Sequence, residues 1–554
     1  MTWQRIDRAR IKYPGVVSWL KANPAISFSI LLMAVVLVFT FFLKIRFISG
    51  NMPYPSHPDE RYIAEPALNM LKTGDFNPHS FRYPSFPIYL TAISFTIGYL
   101  NSAANLELKN TEDLEPNVYP YFKHPRIIWY AKVVFVLLST IAMIFMALIA
   151  YRLYKNPFVL FGVPLIVSLS YQYFLSSAKY INVDIVAAFF IFLVYWHHSI
   201  TMNTDSILQK VAIPGILSGL VIACKYNLVW IIVPSMLVIF FHVKRRRVSK
   251  IGLLFLIMLL TFILVVPFSI LDFNTFLDWL AYDIVVYKKG DALHSTTPGL
   301  TQLIHYLSYF YYDFKLALCV LAFFGIIAVF LRDWKIGIIL LSFPVLTLLQ
   351  MSSYAIHYAR NVLSLFGIFA IFAAIGTVWL YELLCRFLFK LSRPRLPKGI
   401  KQTAVFLLLS IILFFPVQER LTRQLELKPD TRNQALTWIT QNVEKKRDII
   451  VSRELAMNVN PLKEDYNIVF WDFDKANGEA LYTQVAALKK PIVVMPVFCP
   501  HYKRQEFAVK WADELNTIGN SLNILVTFNG SEAIINAPVH ITGKSPKILI
   551  GTFR

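Results

Sequence analysis

Three acids and a few bases have the types and spacing to do chemistry. Asp59 and Glu60 stand side by side in SHPDERY. Prolines limit the backbone ahead of them, and Pro58 fixes its own φ, which helps aim the carboxylate that follows. The third acid, Asp184, sits in SSAKYINVDIVAAFFIFLVYW, at the mouth of an apolar stretch. Facing them in the chain are Lys225 in ACKYNLVWII, His357 and Arg360 in AIHYARNVL, and Arg82 with Tyr83 just before Pro84. Two acids on separate elements can share a cation, or divide the roles of base and orienting group. A lysine or arginine nearby can hold a phosphate. An arginine at a helix start opposes the helix dipole, so an anionic partner is expected for Arg360.

Each residue also has a plainer reading. Asp59 and Glu60 could simply open an interfacial helix over 60–72, where the dipole favours acids. Asp184 could be an N-cap, and Lys225 could extend to lipid headgroups. Weighing against that, an ionisable group drawn to full membrane depth costs roughly 2.5–3.5 kcal/mol and then usually serves function. Taken together, the acids and bases suit a reaction between a phosphorylated lipid and a neutral hydroxyl or amine. A cationic pocket would hold the phosphate leaving group, and a carboxylate would accept the proton.

The elements that must position these groups are membrane spans. Of 554 residues, 56% are hydrophobic and only 16% charged, well short of the roughly 25% charged residues of a soluble surface. Apolar runs lie at about 27–48, 127–154, 157–176, 184–200, 211–224, 227–242, 251–271, 304–331, 335–351, 360–386 and 402–417, which predicts eleven spans. A twelfth run, 85–104, reads as an interfacial helix in the first outer loop, 49–126. If it crossed, the basic loops 244–250 and 390–401 would face outward, against the positive-inside bias. With it in the interface, Arg152, Lys155, Lys210, Lys244 to Arg247, Arg332 and Lys335 are cytoplasmic, and most acids before residue 417 are outside. The formal charge of +21 is then topology and lipid contact, which excludes a nucleic-acid partner. The four cysteines form no CxxC or Cys/His cluster. Residues 1–417 thus read as a transmembrane domain with a cytoplasmic N-terminus, and 418–554 as an extracytoplasmic α/β domain with strands at DIIVS, NIVFW, PIVVMPVF and NILVTF.

At HPDERYIAEPALNMLKTGDF and FRYPSFPIYL the chain resembles the first outer loop of GT-C fold glycosyltransferases that use polyprenyl-phosphate sugars. The resemblance is to family 39-like bacterial members, alongside aminoarabinose transferases and protein O-mannosyltransferases. The matching residues are Asp59-Glu60, Tyr62, Gly74-Asp75 and Tyr83-Pro84-Ser85-Phe86-Pro87. SSAKYINVD, ACKYN, PFSILDFNTFLDWL (267–280), HYARN and DTRNQALTWITQN (430–442) resemble later family segments in the same order. The chain departs from the pattern at Ser85, where relatives often carry proline or lysine, and at Asn361, where tyrosine is common.

The resemblance implies a GT-C-like polytopic fold in a prokaryotic plasma membrane and an inverting sugar transfer on the outer face. The acceptor could be a lipid, a glycan or a protein. Asp59 would be the general base, with Glu60 or Asp184 orienting it. Lys225 and Arg360, with Arg82, Tyr83 and His357, would hold the phosphate. Metal dependence varies in the superfamily, so a divalent cation held by Asp59 and Asp184 stays open. A lipid or glycan transporter that recognises phosphate without chemistry is the competing reading, and a scaffold acting through its C-terminal domain is a third.

Overall fold

The computed structural model describes residues 23–553 apart from 119–120, 203, 205, 291–293, 392–397, 426, 472–485, 489, 498–517 and 531–545. Seven helices are long and apolar enough to cross a membrane: Pro24–Asn51, Pro125–Tyr154, Val183–Thr201, Arg247–Val265, Leu300–Arg332, Trp334–Ser352 and Ala359–Phe387. They correspond to seven of the eleven predicted runs and make the chain a polytopic membrane protein. The run 157–176 is a bent pair, Val159–Leu169 and Tyr171–Ala178, turned by 74° at Ser170. Runs 211–224 and 227–242 lie in the shorter apolar helices Leu208–Cys224 and Tyr226–His242, which meet at Lys225. The last run lies inside the helix Lys398–Leu425. Ser85–Ala104 is a helix but not one of the seven. It lies against Pro125–Tyr154 so closely that a Cβ on Gly98 would stand 2.7 Å from the Ile127 Cα.

Four of the long helices share a polarity that places the site. Pro125–Tyr154, Val183–Thr201, Leu300–Arg332 and the helix that follows Arg360 all bring their polar groups of interest to one end. Lys132, Asp184, Tyr306 and Asn361 are near that end, and Arg152, Ser199, Arg332 and Glu382 are near the other. At 1.5 Å per residue, Pro125–Tyr154 alone spans about 45 Å, enough to separate the two ends across a bilayer. Helices Leu300–Arg332 and Leu363–Leu391 cross at Gly325 and Gly376. A Cβ on either glycine would run into backbone of the other helix, at Phe372 and Leu321. Small residues allow this close approach where lipid supplies no hydrophobic drive.

The C-terminal region is a mixed sheet with spatial order β2-β1-β3-β5-β4. β1 (Asp448–Ser452) pairs in parallel with β2 (Asn467–Trp471) and β3 (Ile492–Val497). β5 (Lys547–Phe553) runs antiparallel between β3 and β4 (Leu522–Phe528). Alternation divides β1 between two cores. Ile449 and Val451 pack under the helix Thr431–Asn442 with Ala435 and Ile439, and Ile450 packs with Val493 and Leu522 on the other face. The four expected strands are present, and β5 was not anticipated. The basic N-terminal stretch, the helix near 504–518, Cys499, Asp291, Ser531 of the sequon, most of ALYTQVAALKK and part of the 390–401 loop lie outside the described residues.

The α/β region is tied to the start of the 49–126 loop. Asp430 caps Thr431–Asn442 and accepts two hydrogen bonds at 2.8 Å from the fully buried Arg432 guanidinium. That guanidinium stacks 3.5 Å from the Tyr54 ring centroid. Asn433 Nδ2 donates to the carbonyls of Gly50 (3.0 Å) and Met52 (2.7 Å), and the Asn458 N–H donates to the Tyr54 hydroxyl at 3.0 Å. The chain segment leading to Asp59 is therefore anchored to the C-terminal region.

Candidate functional site

Pro58–Glu60 is a single 3-10 turn, opened by His57, whose Nδ1 accepts the Asp59 N–H at 3.1 Å. The turn sends its two acids to different partners. Asp59 accepts from the Tyr83 hydroxyl at 3.0 Å and forms an ion pair with Arg360. His57 stacks on Tyr180 with centroids 4.2 Å apart and also faces the Asp59 carboxylate at 3.8 Å. Burial alone would raise the Asp59 carboxyl. The charges of Arg360, His57 and Arg82, with the Tyr83 hydrogen bond, outweigh it and hold the group well below the usual carboxylate range. Arg360 thus has the anion that its place at a helix start called for.

Glu60 is fully buried. Its carboxylate meets Lys132 at 3.0 Å and accepts the N–H groups of Ile181 (3.2 Å) and Ser56 (3.3 Å). Lys132 also donates to the Lys179 carbonyl at 3.1 Å. One carboxylate thereby joins the first outer loop, the Pro125–Tyr154 helix and the 179–181 loop. These contacts hold the Asp59 turn in place.

Asp184 lies on the first turn of Val183–Thr201, where Asn182 supplies the N-cap. The cap reading therefore belongs to its neighbour, and the Asp184 carboxylate is left to meet Lys225 at 2.5 Å. Lys225 also donates to Asn361 Oδ1 at 3.1 Å, and the Tyr287 hydroxyl donates to the same oxygen at 3.2 Å. Since Arg360 and Asn361 are adjacent, both acid–base pairs are tied to the Ala359–Val362 turn. Lys225 is buried and ion-paired rather than reaching for headgroups.

The remaining candidates take other places. Arg82 stacks 4.3 Å over the Tyr62 ring, and its charge acts on Asp59 without a direct contact. His357 is buried against Tyr309, whose hydroxyl lies 2.7 Å from Nδ1, and against His305 and His294. It is not an Asp59 partner. Asp59 and Asp184 each already face a protein cation, so a metal ion shared by them would have to displace Arg360 and Lys225. Among the described residues no group of three His, Cys, Asp or Glu side chains converges as a metal-binding set.

Several contributors were missed in the sequence. Lys132 was hidden in an apolar run, although a lone lysine within a span is itself a signal of function. Asp283 lies on Phe273–Lys289, where Phe276, Asp283 and Tyr287 fall on one helical face. Phe276 packs on Phe81 and Tyr226, and Tyr287 bonds Asn361, so Asp283 between them is turned to the site. The opposite face exposes Leu277, Ile284 and Val285. Burial raises the Asp283 carboxyl to about 6, with Arg82 opposing and Asp59 adding to the shift.

The chain matches no protein-family model and no curated protein. Among solved structures it is similar to the Archaeoglobus fulgidus oligosaccharyltransferase tethered to an acceptor peptide with the NVT sequon. The identity is 12%, the TM-score 0.49, and the alignment covers 91% of this chain and 72% of that one. It is also similar to Cupriavidus metallidurans ArnT bound to undecaprenyl phosphate, at 12% identity and a TM-score of 0.47, covering 95% and 98% of the two chains. ArnT in the apo state gives the same figures. These are likenesses of overall form.

Proposed function

We propose that this protein is a membrane glycosyltransferase that moves a sugar from a polyprenyl-phosphate carrier to an acceptor on the outer face. The carrying observation is the junction at Arg360-Asn361, where Asp59–Arg360 and Asp184–Lys225 meet beside the tyrosines Tyr83 and Tyr287. The buried Lys225 and the partly buried Arg360, held at one turn, suit a phosphate group, and the two carboxylates balance their charge.

The reaction follows from those roles. The donor phosphate takes hydrogen bonds from Arg360 and Lys225. An acceptor hydroxyl or amine attacks the anomeric carbon from the face opposite the phosphate, the bond from that carbon to the phosphate oxygen breaks, and configuration inverts. Polyprenyl phosphate leaves with the bonding electrons, and the acceptor proton passes to Asp59. In the substrate-free state Asp59 is a weak base, because Arg360 holds it far below its ordinary value. A phosphate that draws Arg360 away raises the basicity of Asp59 at the moment a base is needed. Donor binding and base activation are then one event.

The test is transfer from a synthetic polyprenyl-phosphate sugar by the purified chain, paired with mass spectrometry of envelope lipids and glycans with and without the protein. A product that appears with wild type and vanishes with Asp59→Asn supports a transferase. Movement of the lipid or glycan that survives Asp59→Asn, with no new glycosidic bond, is the transporter's result.

A further inference from the structure

The far ends of the same helices open a second feature, a cleft of about 980 Å³. Its charged wall comprises Arg152, Lys155, Arg332, Asp333, Glu382 and Arg386. The acids are already engaged. Glu382 accepts from the Tyr154 hydroxyl at 2.9 Å and from Asn156 at 3.2 Å, and it faces Arg386 at 4.0 Å. Asp333 caps Trp334–Ser352 by accepting the Lys335 N–H at 3.0 Å. Among the described residues, Arg152, Lys155 and Arg332 form no ion pair with a carboxylate. Arg332 donates instead to the Tyr154 carbonyl at 2.9 Å, and Arg152 lies 5.9 Å over the Trp196 ring.

Three cations therefore line one cavity with no carboxylate paired to any of them among the described residues. Partial burial and the charges of Arg152 and Arg332 hold the Lys155 ammonium below its ordinary value, as expected for like charges gathered together. Apolar side chains stand exposed beside them, among them Ile200, Leu331 and Leu383. A cleft of this size fits a headgroup. A basic wall next to an apolar rim suits an anion that carries hydrocarbon.

We propose that this cleft binds the phosphate of an anionic phospholipid in the leaflet opposite Asp59. Arg152, Lys155 and Arg332 contact the phosphate, and the acyl chains run along the exposed apolar side chains. The site lies at the other end of the bundle from the carboxylates and does not depend on what they catalyse.

The test uses the full-length chain in detergent, with phosphatidylglycerol and phosphatidylcholine offered together and lipid retention read by native mass spectrometry. Wild type should prefer phosphatidylglycerol, and R152Q/K155Q should lower that preference roughly twenty-five-fold, from about fivefold per cation removed. The single substitution Lys155→Gln, on an exposed side chain with no carboxylate partner, serves if the double variant fails to fold. Millimolar inorganic phosphate separates the sources. If it leaves phosphatidylglycerol bound, the ligand is the lipid. If it displaces the lipid from wild type and binds the variant poorly, the anion site stands but belongs to a soluble phosphate compound, which overturns the lipid assignment. Equal retention of both lipids by wild type, or equal phosphatidylglycerol retention by wild type and variant, overturns the site.

Discussion

Replacing Asp59 by asparagine, alone and with Arg360→Gln, separates chemistry from packing. Asn keeps the shape and can still accept from the Tyr83 hydroxyl, which is 3.0 Å from the carboxylate. It removes the charge facing Arg360, whose side chain is 17% exposed against 11% for Asp59. A pair this buried, broken from one side, costs about 3–5 kcal/mol because the surviving cation has no anion. Asp59→Asn should therefore lower the thermal midpoint, and Asp59→Asn/Arg360→Gln should recover most of the loss. Turnover should behave differently. A general base contributes about 10²–10⁴ in rate, so kcat should fall by that factor in Asp59→Asn at a temperature where the variant stays folded. The double variant should remain inactive, since it also lacks a phosphate contact, and its KM for the polyprenyl-phosphate donor should rise. The assay is single-turnover transfer in detergent, with stability measured on the same preparations. Recovery of activity together with stability in the double variant would reduce the pair to a structural one and refute the mechanism.

Glu60→Gln should destabilise the fold by about 3–5 kcal/mol, because Lys132 and Glu60 are 3% and 0% exposed at 3.0 Å; Glu60→Gln/Lys132→Met should regain much of it in a thermal melt, and a large loss of kcat with an unchanged melt would move Glu60 into the chemistry. Asp283 gives a pH prediction. Its folded carboxyl titrates near 6, above its unfolded value, so the folded form holds the proton more tightly and stability contributed by this group is present at low pH and lost as pH rises through about 6. Asp283→Asn should flatten that fall in a series of melts between pH 4 and 7, and an unchanged slope would show that Asp283 does not face the site. Chelation by EDTA should leave turnover within about twofold, since Arg360 and Lys225 already neutralise the two carboxylates; loss restored by added Mg²⁺ or Mn²⁺ would give Asp59 and Asp184 a metal after all.

Much of the architecture could be read from the sequence, because a bilayer imposes its own rules. All eleven apolar runs are helical, and Ser85–Ala104 falls outside the seven long apolar helices, as do four of the runs counted as spans. Length is where the reading strained. Hydropathy cannot see that Ser170 breaks 157–176, since the break is sustained by a distant acid. Asp313 accepts from the Ser170 hydroxyl and from the Tyr171 N–H at 2.9 Å, capping the second half of the bent pair. β5 was missed for a related reason. KILIGTF carries a glycine, and its place between β3 and β4 comes from pairing across the sheet.

The site shows the same division between type and partner. Asp59, Asp184, Lys225 and Arg360 could be picked out by type and place, Asp184 as an acid at the mouth of an apolar stretch and Arg360 as a cation opposing a helix dipole. Their pairing could not, because 301 positions separate Asp59 from Arg360 and 41 separate Asp184 from Lys225. Glu60 shows the limit most clearly. Beside Asp59 in sequence it was read as a group that orients Asp59; a 3-10 turn directs consecutive side chains about 120° apart, so neighbours in the chain meet different walls. One wall is Arg360 and the other Lys132. Spacing alone gives adjacent carboxylates a common chemistry; the turn divides them between a partly exposed arginine and a lysine that is sealed in.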